Sequence, residues 1–320
     1  MIKRIILIAC AFILIMQSII AFTLDNGFYK TTSGLIILLP LSFIAAFMLM
    51  SAITEYLDNQ VHVQSWMKPL VPSVFALLVL VSWESLIKGF DVPLVLLPAP
   101  SGIFISFIEN MPMLWADFKQ TYLKAVIAGY AIGCLSGFIV AQWAIKSRFL
   151  QNGLIPLGNF MSAIPIVGIA PIMVMWFGFD WQSKAAVVVV MTFFPMFINT
   201  LTGLKSVDNL QKDLMRTYAA KKSQILIKSQ LPLALPFIFN ALKINSTLAL
   251  IGAIVAEFFG TPIVGMGFRI STEVGRMNMD MVWATILVAA LAGSMSYGAL
   301  ALLERAVLFW HPSVRGGRAK

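Results

Sequence analysis

The stretch from Ala125 to Ile145 reads AVIAGYAIGCLSGFIVAQWAI, an uncharged run closed by Lys124 on one side and Lys146 on the other. A bilayer core about 30 Å thick takes roughly 20 helical residues at about 1.5 Å each, so this run is predicted to cross a membrane as a helix. The pattern recurs outward from it. Toward the N-terminus, Ile5 to Phe22, Gly34 to Ala52 and Pro69 to Trp83 are uncharged, and toward the C-terminus so are Phe149 to Phe179, Ala185 to Leu204 and Met281 to Leu303. Leu231 to Gly260 is mostly apolar but carries Lys243 and Glu257, and brings the expected spans to eight. The Phe149 to Phe179 run holds one span plus a non-helical lead-in, because Pro156, Pro165 and Pro171 are incompatible with one unbroken straight helix.

Composition agrees with this reading. The chain of 320 residues is 59% hydrophobic and 12% charged, whereas soluble domains are about half apolar and about a quarter charged, so a soluble globular enzyme is excluded. Cys10 and Cys134 lie in apolar runs and read as small hydrophobes, with neither a disulfide framework nor a metal site implied. The net charge of +9 follows the topology. With the N-terminus inside, fifteen Lys and Arg fall in inside segments and seven in outside ones, with most of the excess between Lys205 and Lys228 and at the C-terminus. Both termini are therefore expected on the cytoplasmic side of the inner (plasma) membrane, and nucleic acid is not an expected partner. Met1-Ile-Lys-Arg resembles the start of a secretory signal, but the apolar run continues well past Cys10, so a retained first span is expected.

Two segments change character. Glu84 and Lys88 form an i,i+4 pair, and Leu97-Pro98-Ala99-Pro100-Ser101 is predicted to be extended, with Ser101 able to cap the next helix. The stretch Gly102 to Gln120 is amphipathic and too broken to span. The expected organisation is a three-helix N-terminal transmembrane unit over 1–95, a periplasmic linker or interfacial helix over 96–118, a core over 119–310, and a cytoplasmic tail over 311–320.

The second segment, Ser206 to Gln230, is the most informative polar one. Asp208 is placed to cap a helix with Gln211 at the third position, and Val207, Leu210, Leu214 and Tyr218 follow at spacings that put them on one helical face. A basic loop obeying the positive-inside rule explains the charge of Lys212, Arg216, Lys221 and Lys222. It does not explain a capped amphipathic helix followed by Leu231-Pro232.

At this point the sequence resembles the permease subunits of ATP-binding-cassette importers of type I fold, in particular their nitrate, sulfonate and taurine branch. The family's cytoplasmic loop carries Glu-Ala-Ala, three intervening residues, a glycine, nine residues, an isoleucine, one residue and then Leu-Pro. Here Asp213-Leu214-Met215 stands for Glu-Ala-Ala and Ala219 for the glycine, with Leu231-Pro232 closing the loop at the same spacing. Leu97-Pro98-Ala99-Pro100-Ser101, Ala163-Ile164-Pro165, Ala170-Pro171, Trp176-Phe177-Gly178, Phe193-Phe194-Pro195, Val255-Ala256-Glu257, Gly265-Met266-Gly267 and Leu303-Glu304-Arg305 continue the resemblance in order, over about 97 to 310. The first 90 residues lie outside it: members of the branch commonly have one span ahead of the core, and this chain has three expected.

The resemblance implies an all-α polytopic membrane protein of about eight transmembrane helices, a five-helix type I importer core preceded by three extra N-terminal helices. It implies a homodimer around a central pathway, a periplasmic binding protein that delivers a small solute, and a pair of cytoplasmic ATPase subunits that hold the ATP and magnesium. No cofactor is implied for this chain itself. The loop 206–230 would be the coupling helix, docking on the ATPase through Leu210, Asp213, Leu214, Arg216, Tyr218, Ala219 and Lys221. An alanine in place of the glycine leaves two alternatives: the turn keeps ordinary helical dihedrals, or docking is altered.

A charge in a span costs about 2.5 to 3.5 kcal/mol at mid-helix, so Lys243 and Glu257 require reasons. Lys243 is near enough to the cytoplasmic end to snorkel. Glu257 has three open readings: it lines the pathway, holds an outer gate through Arg269 or Arg276, or is solvated at the interface. Asn199, Asn245 and Ser246 are candidates for the pathway or for interhelical hydrogen bonds. No catalytic or metal-binding constellation emerges: His62 and His311 are far apart, and Gly-x-x-x-x-Gly-Lys-Ser/Thr, His-Glu-x-x-His and Gly-x-Ser-x-Gly are all absent. The alternative function is an ion-coupled secondary transporter, which predicts intramembrane carboxylates or unwound helix pairs in symmetric halves. Apart from Glu84 and Glu257 near span ends, the sequence shows neither.

Overall fold

The computed structural model describes residues 32–58, 70–260 and 263–311, and every element in them is helical. In chain order these are α1 (Thr32–Asp58), α2 (Leu70–Gly89), α3 (Pro100–Glu109), α4 (Met111–Ala144), α5 (Arg148–Ala163), α6 (Ile166–Phe177), α7 (Trp181–Lys205), α8 (Asn209–Thr217), α9 (Lys222–Glu257), α10 (Met266–Gly275) and α11 (Met279–Val307). Five of them, α2, α4, α7, α9 and α11, are long and apolar enough to cross a membrane, and the bent pair α5–α6 is a sixth if it counts as one span. Among the described residues this gives five or six of the expected eight. The first expected run, Ile5 to Phe22, lies outside the described residues, and the second, Gly34 to Ala52, falls within the 27 residues of α1.

The described residues form two compact units, one holding those up to Asn110 with Glu273–Ala284, the other Met111–Thr272 with those from Thr285 on. In the first, Glu84 is fully buried on α2 and organises the start of α3. Its carboxylate accepts from Ser101 N–H at 2.9 Å and from Ser101 Oγ at 2.6 Å, and pairs with Lys88 Nζ at 2.9 Å. The predicted Glu84–Lys88 pair is thus present. The predicted cap at Ser101 is not: α3 begins at Pro100, Ala99 precedes it without a side-chain cap, and the orphan N–H of Ser101 is taken by Glu84 from another helix. Trp83 and Trp283 meet edge to face in the same unit, with ring centroids 5.1 Å apart.

In the second unit α7 packs along both α4 and α9. Gly129, Gly133 and Gly137 form a stripe on α4 at a spacing of four residues, and the backbones touch through it. A Cβ at Gly129 would lie 2.6 Å from Ala185 O and one at Gly137 2.5 Å from Phe193 O, while one at Gly133 would collide with Thr192 Oγ1. Small residues at an interhelical seam are how helices approach closely where lipid supplies no hydrophobic drive.

Three of the helices differ from expectation in ways that matter for the site. α4 starts at Met111 and runs through Lys119 without a break, so Met111–Phe118 is its opening and no separate interfacial piece. Pro112 sits in the first turn, where a missing N–H removes no helix bond. α9 is a single helix of 36 residues that starts at Lys222, nine residues ahead of the apolar run, so Leu231-Pro232 lies within it. The Phe149 to Phe179 run is interrupted at Ile164 and Pro165 into α5 and α6 at 103° to one another, so the lead-in expected to be non-helical is the helix α5, and Pro156 and Pro171 are absorbed inside the two helices. Short π-helical segments occur at Lys119–Val126 in α4 and Leu226–Gln230 in α9.

Lys243 Nζ pairs with Glu304 Oε2 on α11 at 2.7 Å, both side chains largely buried, so its charge is neutralised by a neighbouring helix.

Candidate functional site

The loop between α7 and α9 is built from local backbone chemistry. Asp208 caps α8, its Oδ1 accepting from Leu210 N–H at 3.3 Å, one residue short of the partner that a capping box with Gln211 requires. Val207 precedes the cap and is buried, so it does not share the face of Leu210, Leu214 and Tyr218, as the spacing had implied. Those three are 76%, 58% and 80% exposed, and no residue of α8 is buried. Asp213 and Arg216 pair at 3.1 Å on the exposed surface, where such a contact adds little stability.

The end of α8 settles the question raised by Ala219. Its φ is +56°, so the left-handed conformation is kept and the first of the two alternatives, ordinary helical dihedrals, is excluded. Ala219 N–H donates to Arg216 O at 2.8 Å and Ala220 N–H to Met215 O at 3.0 Å, the paired bonds of a Schellman motif. An alanine in this conformation costs roughly 1 to 2 kcal/mol relative to the right-handed one. Immediately after it, Lys221 N–H is held by Gln224 Oε1 at 2.7 Å and α9 begins. The exposed helix and the 36-residue helix are therefore joined by four residues, Tyr218 to Lys221.

At the other end of α9 is a cluster that the sequence reading did not find. Glu257, the last residue of α9, is 3% exposed and neither solvated nor paired with an arginine. Its Oε1 accepts from Thr121 Oγ1 at 2.7 Å and its Oε2 from Gly267 N–H at 2.6 Å. Thr121 Oγ1 accepts in turn from Met266 N–H at 2.8 Å, and Asp117 Oδ1 from Gly265 N–H at 2.8 Å. Arg269 Nε binds Asp117 Oδ2 at 2.8 Å, and Arg276 pairs with Glu273 at 3.0 Å. Next along α4, Gln120 Nε2 donates to Asp180 Oδ1 at 2.6 Å. Lys184, 1% exposed near the start of α7, donates to Phe179 O at 2.6 Å and Asp180 O at 3.2 Å. The π-helical segment of α4 helps this arrangement: its wider turn accompanies the burial of Gln120 and Thr121 as neighbours. The legible signal was Asp117 and Thr121 at i,i+4 beside the Gly265-Met266-Gly267 motif.

The remaining candidates are dispersed. Asn199 Nδ2 donates to Pro195 O within α7 at 2.8 Å. Asn245 is fully buried and ties three helices, its Nδ2 donating to Thr192 O at 2.8 Å and approaching Cys134 Sγ at 3.3 Å. Ser246 bonds back to Lys243 O at 2.7 Å and borders a cavity of about 270 Å³ that Tyr122, Tyr130 and Ser296 also line. A second cavity, of about 370 Å³, lies at the α5–α6 break between Met161, Ile164, Pro165, Met191, Phe194 and Leu248. Among the described residues, no group of three or more His, Cys, Asp and Glu side chains is placed to hold a metal ion.

Residues 129–309 match the model of a family described as binding-protein-dependent transport system inner membrane component. The formylaminopyrimidine transport permease protein ThiX of Halalkalibacterium halodurans is 31% identical over 241 residues, covering 75% of this chain and 96% of that protein. The riboflavin transport system permease protein RibX of Chloroflexus aurantiacus is 29% identical over 242 residues, 75% of this chain and 90% of its own. The putative aliphatic sulfonates transport permease protein SsuC of Bacillus subtilis is 29% identical over 255 residues, 78% of this chain and 90% of its own. Matches at 29–31% identity to proteins named for a pyrimidine, a flavin and sulfonates show the permease family and distinguish its branches only weakly. With its long apolar helices and this match across most of the second unit, the chain belongs to the binding-protein-dependent inner membrane components: it is the polytopic permease subunit of an ATP-binding-cassette importer, and ATP is hydrolysed by a separate subunit.

Proposed function

We propose that α8 is the surface on which the ATPase docks, and that the loop carrying it faces the cytoplasm together with both chain termini. The observation that carries this is the exposure of Leu210, Leu214 and Tyr218 on a short capped helix with Asp213, Arg216 and Lys221 around them. An apolar stripe of this kind fits a groove in a protein partner, and the charged rim supplies orientation. Ala219 belongs to the same surface because it fixes the turn that presents Tyr218.

The permease acts as a homodimer, taking a small solute from a periplasmic binding protein and moving it by alternating access as the ATPase pair closes on ATP. The solute class is that of the nitrate, sulfonate and taurine branch or of the neighbouring pyrimidine and flavin permeases. The working division is an N-terminal unit over 1–95, a linker that ends before Met111, where α4 begins, and a core that runs to 310. Of the pathway candidates, Ser246 borders a cavity, Asn245 and Glu257 contribute by holding the helices around the pathway, and Asn199 bonds within α7. The α5–α6 break is placed on the pathway itself, because non-helical backbone at membrane depth is tolerated where protein or a water-filled cavity surrounds it.

The test is to reconstitute the chain with an ATPase and a binding protein encoded beside it, and to screen sulfonates, taurine, nitrate, aminopyrimidines and flavins for stimulated ATP hydrolysis. Stimulation by one class, dependent on the binding protein, supports the reading. Solute uptake driven by an ion gradient without ATP contradicts it.

A further inference from the structure

We propose that Asp117, Thr121 and Glu257 are positioning residues that fasten the far end of α9 to α4 and to residues 265–267, so that displacement of the docking loop is delivered to the opposite side of the membrane. The inference rests on the reading of α8 as the docking surface and adds where its movement goes.

Three observations carry it. The first is length. α9 follows the docking loop directly and continues for 36 residues to Glu257. At about 1.5 Å per residue that is roughly 50 Å, more than a hydrocarbon core of about 30 Å and its headgroups need, so its two ends reach opposite interfaces.

The second is the geometry at Glu257. Three consecutive backbone N–H groups, those of Gly265, Met266 and Gly267, are each taken by a different side chain, from Asp117, Thr121 and Glu257 respectively. Thr121 is also bonded to Glu257, so helix end, neighbouring helix and loop form one closed set. The two glycines admit the contact. A Cβ at Gly265, whose φ is +149°, would lie 2.7 Å from the Glu257 carboxylate, and one at Gly267 would collide with Ile254 O.

The third is the choice of chemistry. Asp117 is fully buried and Glu257 nearly so, and burying carboxylates is expensive where apolar packing of the same volume would hold a fixed joint as well. Charge-assisted bonds to backbone N–H groups are strong when closed and can be exchanged for water when the joint opens. Lys184 and Asp180 bring the start of α7 to the same place, through Gln120 on α4, so the three main helices of the unit share this fastening.

The experiment uses the full complex of permease, ATPase and binding protein in proteoliposomes, with Glu257→Gln, Thr121→Val, Thr121→Ser and, as a docking control, Leu214→Asp. The readout is the ratio of ATP hydrolysis with loaded binding protein to hydrolysis without it, beside uptake and the amount of copurified ATPase. The expected result is that Glu257→Gln and Thr121→Val copurify with the ATPase but lose at least about five-fold in that ratio, the low end of ordinary coupling free energies, while Thr121→Ser restores it. Both variants within about two-fold of the parent, well inside one coupling unit, overturn the inference. So does loss of assembly in both that Thr121→Ser fails to rescue. A Leu214→Asp chain that copurifies and transports normally overturns the docking reading and the inference with it. Loss of copurification in Leu214→Asp beside normal coupling in Glu257→Gln removes the inference alone.

Discussion

Lys243 on α9 and Glu304 on α11 form an ion pair at 2.7 Å between two long apolar helices, with both side chains largely buried. The pair explains why two charged residues are tolerated in otherwise apolar helices, and it ties α11 to α9. Breaking one partner of a buried pair is more damaging than removing both. Lys243→Met is expected to lower the stability of the detergent-solubilised permease by about 3 kcal/mol, and the double variant Lys243→Met with Glu304→Leu to recover most of that loss. Thermal unfolding of the three proteins checks it, and a double variant as unstable as the single one contradicts it.

Ala219 holds a left-handed backbone that glycine adopts without steric penalty. Ala219→Gly is expected to relieve about 1 kcal/mol of local strain and leave docking intact, whereas Ala219→Val adds a β-branched side chain in that conformation and weakens it. The affinity of the ATPase for the three chains is the measurement, with the order Gly at least equal to Ala, and Val weakest.

The stripe Gly129, Gly133 and Gly137 brings the backbone of α4 onto α7, and the tightest point is Gly133 against Thr192. Gly133→Leu is expected to separate the two helices and abolish the folded complex, while Gly133→Ala with Thr192→Ala, which removes the facing hydroxyl, is milder than Gly133→Ala alone. Size-exclusion recovery after heating distinguishes the three.

Glu84 replaces the missing side-chain cap of α3. Ser101→Ala removes one of the hydrogen bonds to a buried carboxylate and is expected to cost about 1 to 3 kcal/mol, without changing the ratio of stimulated to basal ATP hydrolysis. A change in that ratio would mean that the first unit takes part in coupling.

What was readable in the sequence follows the range of the forces involved. The apolar runs act locally, so α7 and α11 were legible within a few residues and the prolines announced an interruption in the Phe149 to Phe179 run, whereas the start of α4 at Met111, well ahead of its apolar run, was not legible. The cap at Asp208 and the exposed face of α8 were legible for the same reason, since both are set within three turns of chain. Val207 was misassigned because periodicity counts spacing and does not see that the helix starts after it. The partners of Lys243, Glu257 and Ser101 were not legible, because Glu304, Thr121 and Glu84 reach them from other helices. The glycine stripe on α4 was visible as a spacing of four, but only the facing backbone of α7 gives it meaning.

The central claim is that the chain delivers ATP-driven transport through a partner seated on α8. The most direct measurement is copurification of the ATPase, with ATP-driven uptake, for the parent chain and for the double variant Leu214→Asp with Tyr218→Asp. The account predicts a stable complex and uptake for the parent, and loss of both for the double variant while it still inserts and folds. Unchanged copurification and uptake in a folded double variant would contradict it.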